Sequence, residues 1–177
     1  MKKRRKEGKT DYKARLKMLK SGKPRIVFRK TNKQIIGQYV KSKEARDYVV
    51  IGVTSKELLK YGWPKNCEGS LKSIPASYLT GYLLGKKIMD RNGEEAIFDI
   101  GLYRSIAKSR IYSFLKGVVD AGVKIKYKEE MFPDKSRIEG KHMKKPIAEN
   151  FNKIKENIDK KFVWKWQKRK VKKRKRR

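Results

Sequence analysis

Positive charge is concentrated at the two ends of this chain, and that distribution limits which parts of it can fold. Of 177 residues, 51 are Lys or Arg and 18 are Asp or Glu, a formal charge of +33. Residues 1–46 hold 18 basic and 3 acidic side chains, and residues 161–177 hold 11 basic and no acidic ones. Between them, residues 47–160 are nearly ordinary, with 22 basic against 15 acidic. The tail cannot bury a core of its own, and the chain reads as a near-ordinary body with two cationic ends. The cationic ends repel each other, and a polyanion is the partner that relieves the repulsion. Apolar residues, at 37%, suffice for one modest core.

The same sequence excludes several chemistries. Cys67 and His142 are the sole Cys and His. An intrachain disulfide and a Cys- or His-rich metal site are therefore impossible, and no metal or cofactor is expected. The charged N-terminus lacks the apolar stretch of a secretory signal, and no run reaches the ~20 apolar residues that span a bilayer. A reducing, aqueous compartment is the expectation.

Periodicity predicts the elements. A helix follows Thr10 as N-cap, with Asp11 near its positive end and Tyr12, Leu16 and Leu19 along one side to dock on protein. Gly22 and Pro24 end it. Three strand-like runs follow: 25–30, 34–40 and 48–53. The first two are joined by a tight turn at Asn32, a residue tolerant of positive φ. Within the first run Ile26 and Phe28 share one face, while Arg25, Val27 and Arg29 share the other, read as a charged face left open. Gly52 suggests a bulge. A short helix precedes Pro64, and a longer one runs from Pro75 to about Asp90. Its Gly81 and Gly85, four apart, allow close packing against a neighbour. A short strand near 94–101, a helix at about 109–121 and an edge strand at 123–127 complete a mixed α/β layer fold. Pro146 opens a long helix with Ile147, Phe151, Ile154, Ile158 and Phe162 along one side. The basic end beyond residue 160 is expected to lack structure without a partner.

Several ordered strings resemble one family. GKTDYKARLKMLKSGKPRIVFRKTNK (8–33), IPASYLTGYLLGKK (74–87), DIGLYRS (99–105), LKGVVDAGV (115–123) and FPDKSRIEGKHM (132–143) resemble the archaeal ribosomal protein L eighteen family, whose eukaryotic relative is ribosomal protein L five. The stretch KIKYKEE lacks the Pro-His pair expected before its acidic residues, and the family's tail does not align after Met143. The resemblance implies a mixed sheet flanked by helices in a ribonuclease H-like layout. It also implies a structural role in the cytoplasmic ribosome, binding 5S ribosomal RNA and attaching it to large-subunit RNA beside neighbouring ribosomal proteins. The parts would be a basic arm and helix (1–22), an RNA-binding core (23–125), a helical extension (126–160) and a basic tail (161–177). The implied RNA surface comprises Lys3, Arg4, Arg5, Lys6, Lys9, Tyr12, Arg15, Arg25, Arg29, Lys30, Asn32 and Lys33, joined by Lys108 and Arg110.

Two other readings compete. A ribonuclease H-like fold could be a nuclease, but that chemistry needs carboxylates clustered on adjacent strands to hold metal ions. The first two strands carry none in their runs, and Asp47 and Asp99 are too few; Asp99 is better placed to bind the turn at Gly101. An architectural protein on DNA would fit the charge but not the ordered strings. Tyr12 could stack on a base or pack on the body, and Trp164 and Trp166 could stack or close the last helix. Gly8 and Gly101 lie in no phosphate-cradling loop.

The arm supplies a direct test. Changing Lys3, Arg4, Arg5 and Lys6 to Ala is expected to weaken binding to 5S RNA. It should also flatten the salt dependence by roughly 0.7–0.9 log units of slope for each phosphate no longer neutralised, read from a salt titration.

Overall fold

Runs of β-branched and aromatic residues after Pro24 form the strands of one sheet in the computed structural model. The structure describes residues 6–8, 10–91, 93, 95–143 and 145–174, and for 145, 146 and 163–174 it describes the backbone alone. The strands are β1 (Arg25–Lys30), β2 (Ile35–Lys43), β3 (Arg46–Thr54) and β4 (Ile97–Asp99). Their spatial order is β3-β2-β1-β4. The first three form an antiparallel meander, and β4 lies parallel to β1. The helices are α1 (Tyr12–Lys20), α2 (Ile74–Met89), α3 (Arg110–Asp120), α4 (Lys135–Ile138) and α5 (Lys145–Arg174), with short 3-10 turns between several of them. This is the α/β class expected, a mixed sheet flanked by helices.

Local details depart from the expectations in instructive ways. The N-cap of α1 is Asp11, whose carboxylate accepts from the N–H groups of Lys13 and Ala14 at 2.9 and 3.0 Å. No residue of α1 is buried, and Leu16 is 55% exposed, so the expected apolar stripe does not dock fully. The β1–β2 turn is organised by the Thr31 hydroxyl, which accepts from Lys33 and Gln34, rather than by Asn32 in a left-handed conformation. The left-handed turn lies instead between β2 and β3, where Glu44 and Ala45 have φ of 51° and 63°. Two positive φ values in a two-residue loop match the right-handed twist of a hairpin, and neither residue type advertises them. The register shift in β3 falls between the partners of Tyr39 and Val40, leaving Val50 as the extra residue, not Gly52. Residues 123–127 form no strand; one backbone bond, Ala96 N–H to the Lys124 carbonyl, ties them to the strand region. The backbone of α5 continues through Arg174. Lys and Arg are good helix formers, and no Gly or Pro interrupts the segment after Pro146.

The inner face of the sheet carries Ile26 and Phe28, both at most 1% exposed, against α2 and α3. Those two helices touch backbone to backbone. A Cβ on Gly81 would lie 2.1 Å from the Phe114 carbonyl oxygen, and one on Gly117 would lie 2.1 Å from that of Tyr78. Hydroxyls fasten the same contact: Ser77 donates to the Arg110 carbonyl at 2.6 Å and Ser113 to that of Ile74 at 2.8 Å. Gly81 is thus the packing residue its position suggested, with Gly117 as its counterpart. The apolar side of α5 packs on this layer through Ile147, Phe151, Ile154 and Ile158. Asp159 adds a hydrogen bond from the Tyr82 phenol at 2.9 Å and an ion pair with Lys86 at 2.8 Å.

Because backbone stands where a side chain would go, Gly81→Ala and Gly117→Ala should each separate the helices and cost about 3 kcal/mol of unfolding free energy. Gly52→Ala, with nothing within 4 Å of the added carbon, should stay within about 0.5 kcal/mol. Urea denaturation checks both.

Candidate nucleic-acid interface

The second face of the sheet begins with an arginine that ought to have been outside. The alternation places Arg25, Val27 and Arg29 opposite Ile26 and Phe28, as expected, but that face is not open at Arg25. Arg25 is 3% exposed and Val27 8%. The Arg25 guanidinium donates to Asp99 on β4 at 3.1 Å, and to Asp47 and Ser42 on the other side at 2.6 and 3.2 Å. Asp47 in turn holds Arg15 of α1 at 2.8 Å. A hydrogen bond from Arg15 to the Ala45 carbonyl, at 3.5 Å, supports the same docking. Arg25 is therefore corrected from an open contact residue to the buried cation of the framework. Both carboxylates come from distant parts of the chain, which pairwise alternation within β1 does not register.

These pairs set the local electrostatics. Partial desolvation raises the pKa of Asp47, but hydrogen bonds from Ser42 and Arg25, with the charges of Arg25 and Arg15, outweigh it and hold the carboxyl below the usual range. Asp99 accepts from the Gly101 N–H at 2.8 Å, the turn contact expected of it. Asp47 and Asp99, which a nuclease would need for metal, are thus engaged with arginine. Among the described residues, no group of three His, Cys, Asp or Glu could hold a metal ion.

Around this framework the cations face outward. Arg29 keeps 41% of its side chain exposed while donating to the Phe28 carbonyl at 2.7 Å. Lys30, Asn32 and Lys33 are exposed at the end of the β1–β2 hairpin. The Tyr103 hydroxyl accepts from the Lys30 N–H at 3.1 Å and donates to its carbonyl at 2.9 Å, pinning the 99–106 loop to the hairpin. Lys30, Tyr103, Arg104 and Arg110 line one shallow depression of about 180 Å³. Arg110 also donates to the Lys72 carbonyl at 3.2 Å, and Lys108 is exposed, 3.4 Å from Asp134. On α1, Arg15 and Tyr12 are half-buried, whereas Lys13, Lys17 and Lys20 are exposed. Lys6 is exposed too; Lys3, Arg4, Arg5 and Lys9, and the side chains of Trp164 and Trp166, lie outside the described residues. The resemblance did not single out Arg104 or Tyr103. Their signal was the string DIGLYRS, whose Asp-Ile-Gly turn delivers both beside Lys30.

Fold and surface together define a basic α/β protein with an outward-facing cationic surface on one side of its sheet. The family described as ribosomal large subunit proteins 60S L5 and 50S L18 matches residues 1–97. Large ribosomal subunit protein uL18 of Korarchaeum cryptofilum is 49% identical over 140 residues, 79% of this chain and 70% of that protein. Its namesake from Methanoculleus marisnigri is 43% identical over 156 residues, 88% and 87% of the two chains. The chain belongs to this family of large-subunit ribosomal proteins. Membership makes it a structural component of the cytoplasmic ribosome, not an enzyme.

The ion network yields two expectations. Arg25→Ala strips the nearest cation from buried Asp99 and should cost on the order of 3 kcal/mol of stability in urea. Reversing the charge, as in Arg25→Glu, should unfold the body rather than merely weaken binding. The folded-state pKa of Asp47 is depressed below its ordinary 3.8. Its stabilising contribution is therefore complete above that pH and is lost as pH falls through the folded value. Asp47→Asn should accordingly narrow the stability difference between about pH 6 and about pH 3.

Proposed function

We propose that this chain binds 5S ribosomal RNA and attaches it to the large-subunit ribosomal RNA at the central protuberance, in support of translation. One observation carries the reading. In a member of this ribosomal family, outward cations form a surface running from α1 through Arg29 and Tyr103 to Arg104 and Arg110. The hairpin tip, with Lys30 and Lys33, extends it. The principal carboxylates of this face are engaged with Arg25, Arg15 and Arg29, so Lys30, Lys33 and the exposed lysines of α1 are left to phosphate. Each phosphate neutralised releases condensed counterions, which supplies affinity, while a folded RNA of matching contour supplies selectivity. The N-terminal arm adds six cations and one anion within its first nine residues. At the other end, α5 packs on the helical layer, and residues 161–177 of the chain hold eleven cations, eight of them within α5. Two cationic ends suit a protein that joins one RNA to another.

The test uses purified full-length protein offered deproteinised total ribosomal RNA. A discrete 5S species should be retained, with affinity at least ~100-fold above that for duplex DNA of equal length at the same salt. Equal affinity for both would overturn the reading in favour of a general architectural binder.

A further inference from the structure

A cavity of about 550 Å³ lies between α1 and the outer face of the sheet, walled at one end by the loop after β4. Its size falls within the ~300–1,000 Å³ typical of clefts that enclose a small organic ligand. We infer that this cavity receives the base of an unpaired RNA nucleotide, extruded from the bound RNA; this deepens the proposed RNA-binding function and rests on it.

The chemistry of the walls favours a base over a phosphate. Three arginines line the space, Arg15, Arg25 and Arg29, yet each is already paired: Arg15 with Asp47, Arg25 with Asp47 and Asp99, and Arg29 with Asp99 at 3.6 Å. Asp99 and Asp11 also belong to the lining. A phosphate would meet those anions; a base edge, with donors and acceptors side by side, can use carboxylate and guanidinium together. Arg25 adds a donor in reserve, because its buried Nε has no hydrogen-bond partner among the described residues.

Apart from Thr10 and two glycines, the remaining walls are apolar or aromatic. Ala14 and Met18 of α1 face the space from one side and Leu102 and Tyr103 from the other. Leu102 is 57% exposed, so its apolar side chain is available to a guest. Tyr103 is held rigidly, its hydroxyl committed to both backbone groups of Lys30 and its ring edge-on to Phe28 at 6.1 Å. Such a fixed ring provides a flat surface without further ordering cost.

Filling the cavity from α1 tests this without touching the core. In full-length protein, Ala14→Trp and Met18→Trp should each weaken 5S RNA binding about tenfold while leaving the salt slope unchanged, since every phosphate-binding cation is retained. Near-UV circular dichroism and urea midpoints matching the parent would establish that the body is intact. Dimethyl sulfate probing of the RNA should show an unpaired base protected by the parent protein and exposed again with both variants. Unchanged affinity in both variants, with no such base, would overturn the cavity assignment while leaving 5S binding standing. Weaker binding with a flattened salt slope would assign the space to phosphate and overturn it equally. If the parent protein fails to bind 5S RNA at all, the proposed function itself falls.

Discussion

One buried guanidinium organises the face of this protein that matters most. Arg25 lies on β1, and its two carboxylates come from β3 and β4, the outer strands of the sheet. A single side chain therefore spans the sheet, and through Asp47 it also fixes Arg15 and the cationic helix α1. Buried ion pairs contribute little net stability, because desolvation offsets most of the Coulomb attraction. What this one contributes is position. In a chain of formal charge +33 it draws Asp47 and Asp99 into the framework, so that cations dominate what remains outside.

The helical layer works by the opposite means, with almost no charge at its centre. Gly81 and Gly117 bring α2 and α3 into backbone contact, and Ser77 and Ser113 satisfy carbonyls across the junction. Close approach of the helices places Phe114 against Gly37 of β2 and in aromatic contact with Phe28 and Phe98. This packing fixes the level of β4 and so of the Asp99–Gly101 turn. Tyr103 reaches Lys30 because that turn is held from both sides, by Asp99 on the outer face and by Phe98 on the inner one. The cationic surface is thus a consequence of core geometry, although few of its residues are in the core.

Much of this was legible from local patterns. Alternation in β1 assigned its two faces correctly, and Pro75 and the glycines of α2 marked the start and packing side of that helix. Helical spacing picked out the buried stripe of α5, residue by residue. Where reading failed, a non-local partner decided the outcome. Asn32 carries the residue type of a left-handed turn, yet the Thr31 hydroxyl settled that hairpin. Glu44 and Ala45 adopted positive φ because the strands on either side demanded it. Residues 123–127 had strand composition but found no neighbouring strand to pair with over their length.

The sequence by itself determined the distribution of charge, the element types, the family, and the inner face of the sheet. The family rests on ordered strings of residues, and the others on composition and on periods of two and 3.6 residues, which are local properties. Tertiary structure alone decided that Arg25 is buried, that Arg15 anchors α1, and that Tyr103 and Arg104 stand beside Lys30. The physical reason is that an exposed and a buried arginine look identical along the chain. They differ only in whether carboxylates more than twenty residues away are brought within hydrogen-bonding distance, and that is settled by the fold.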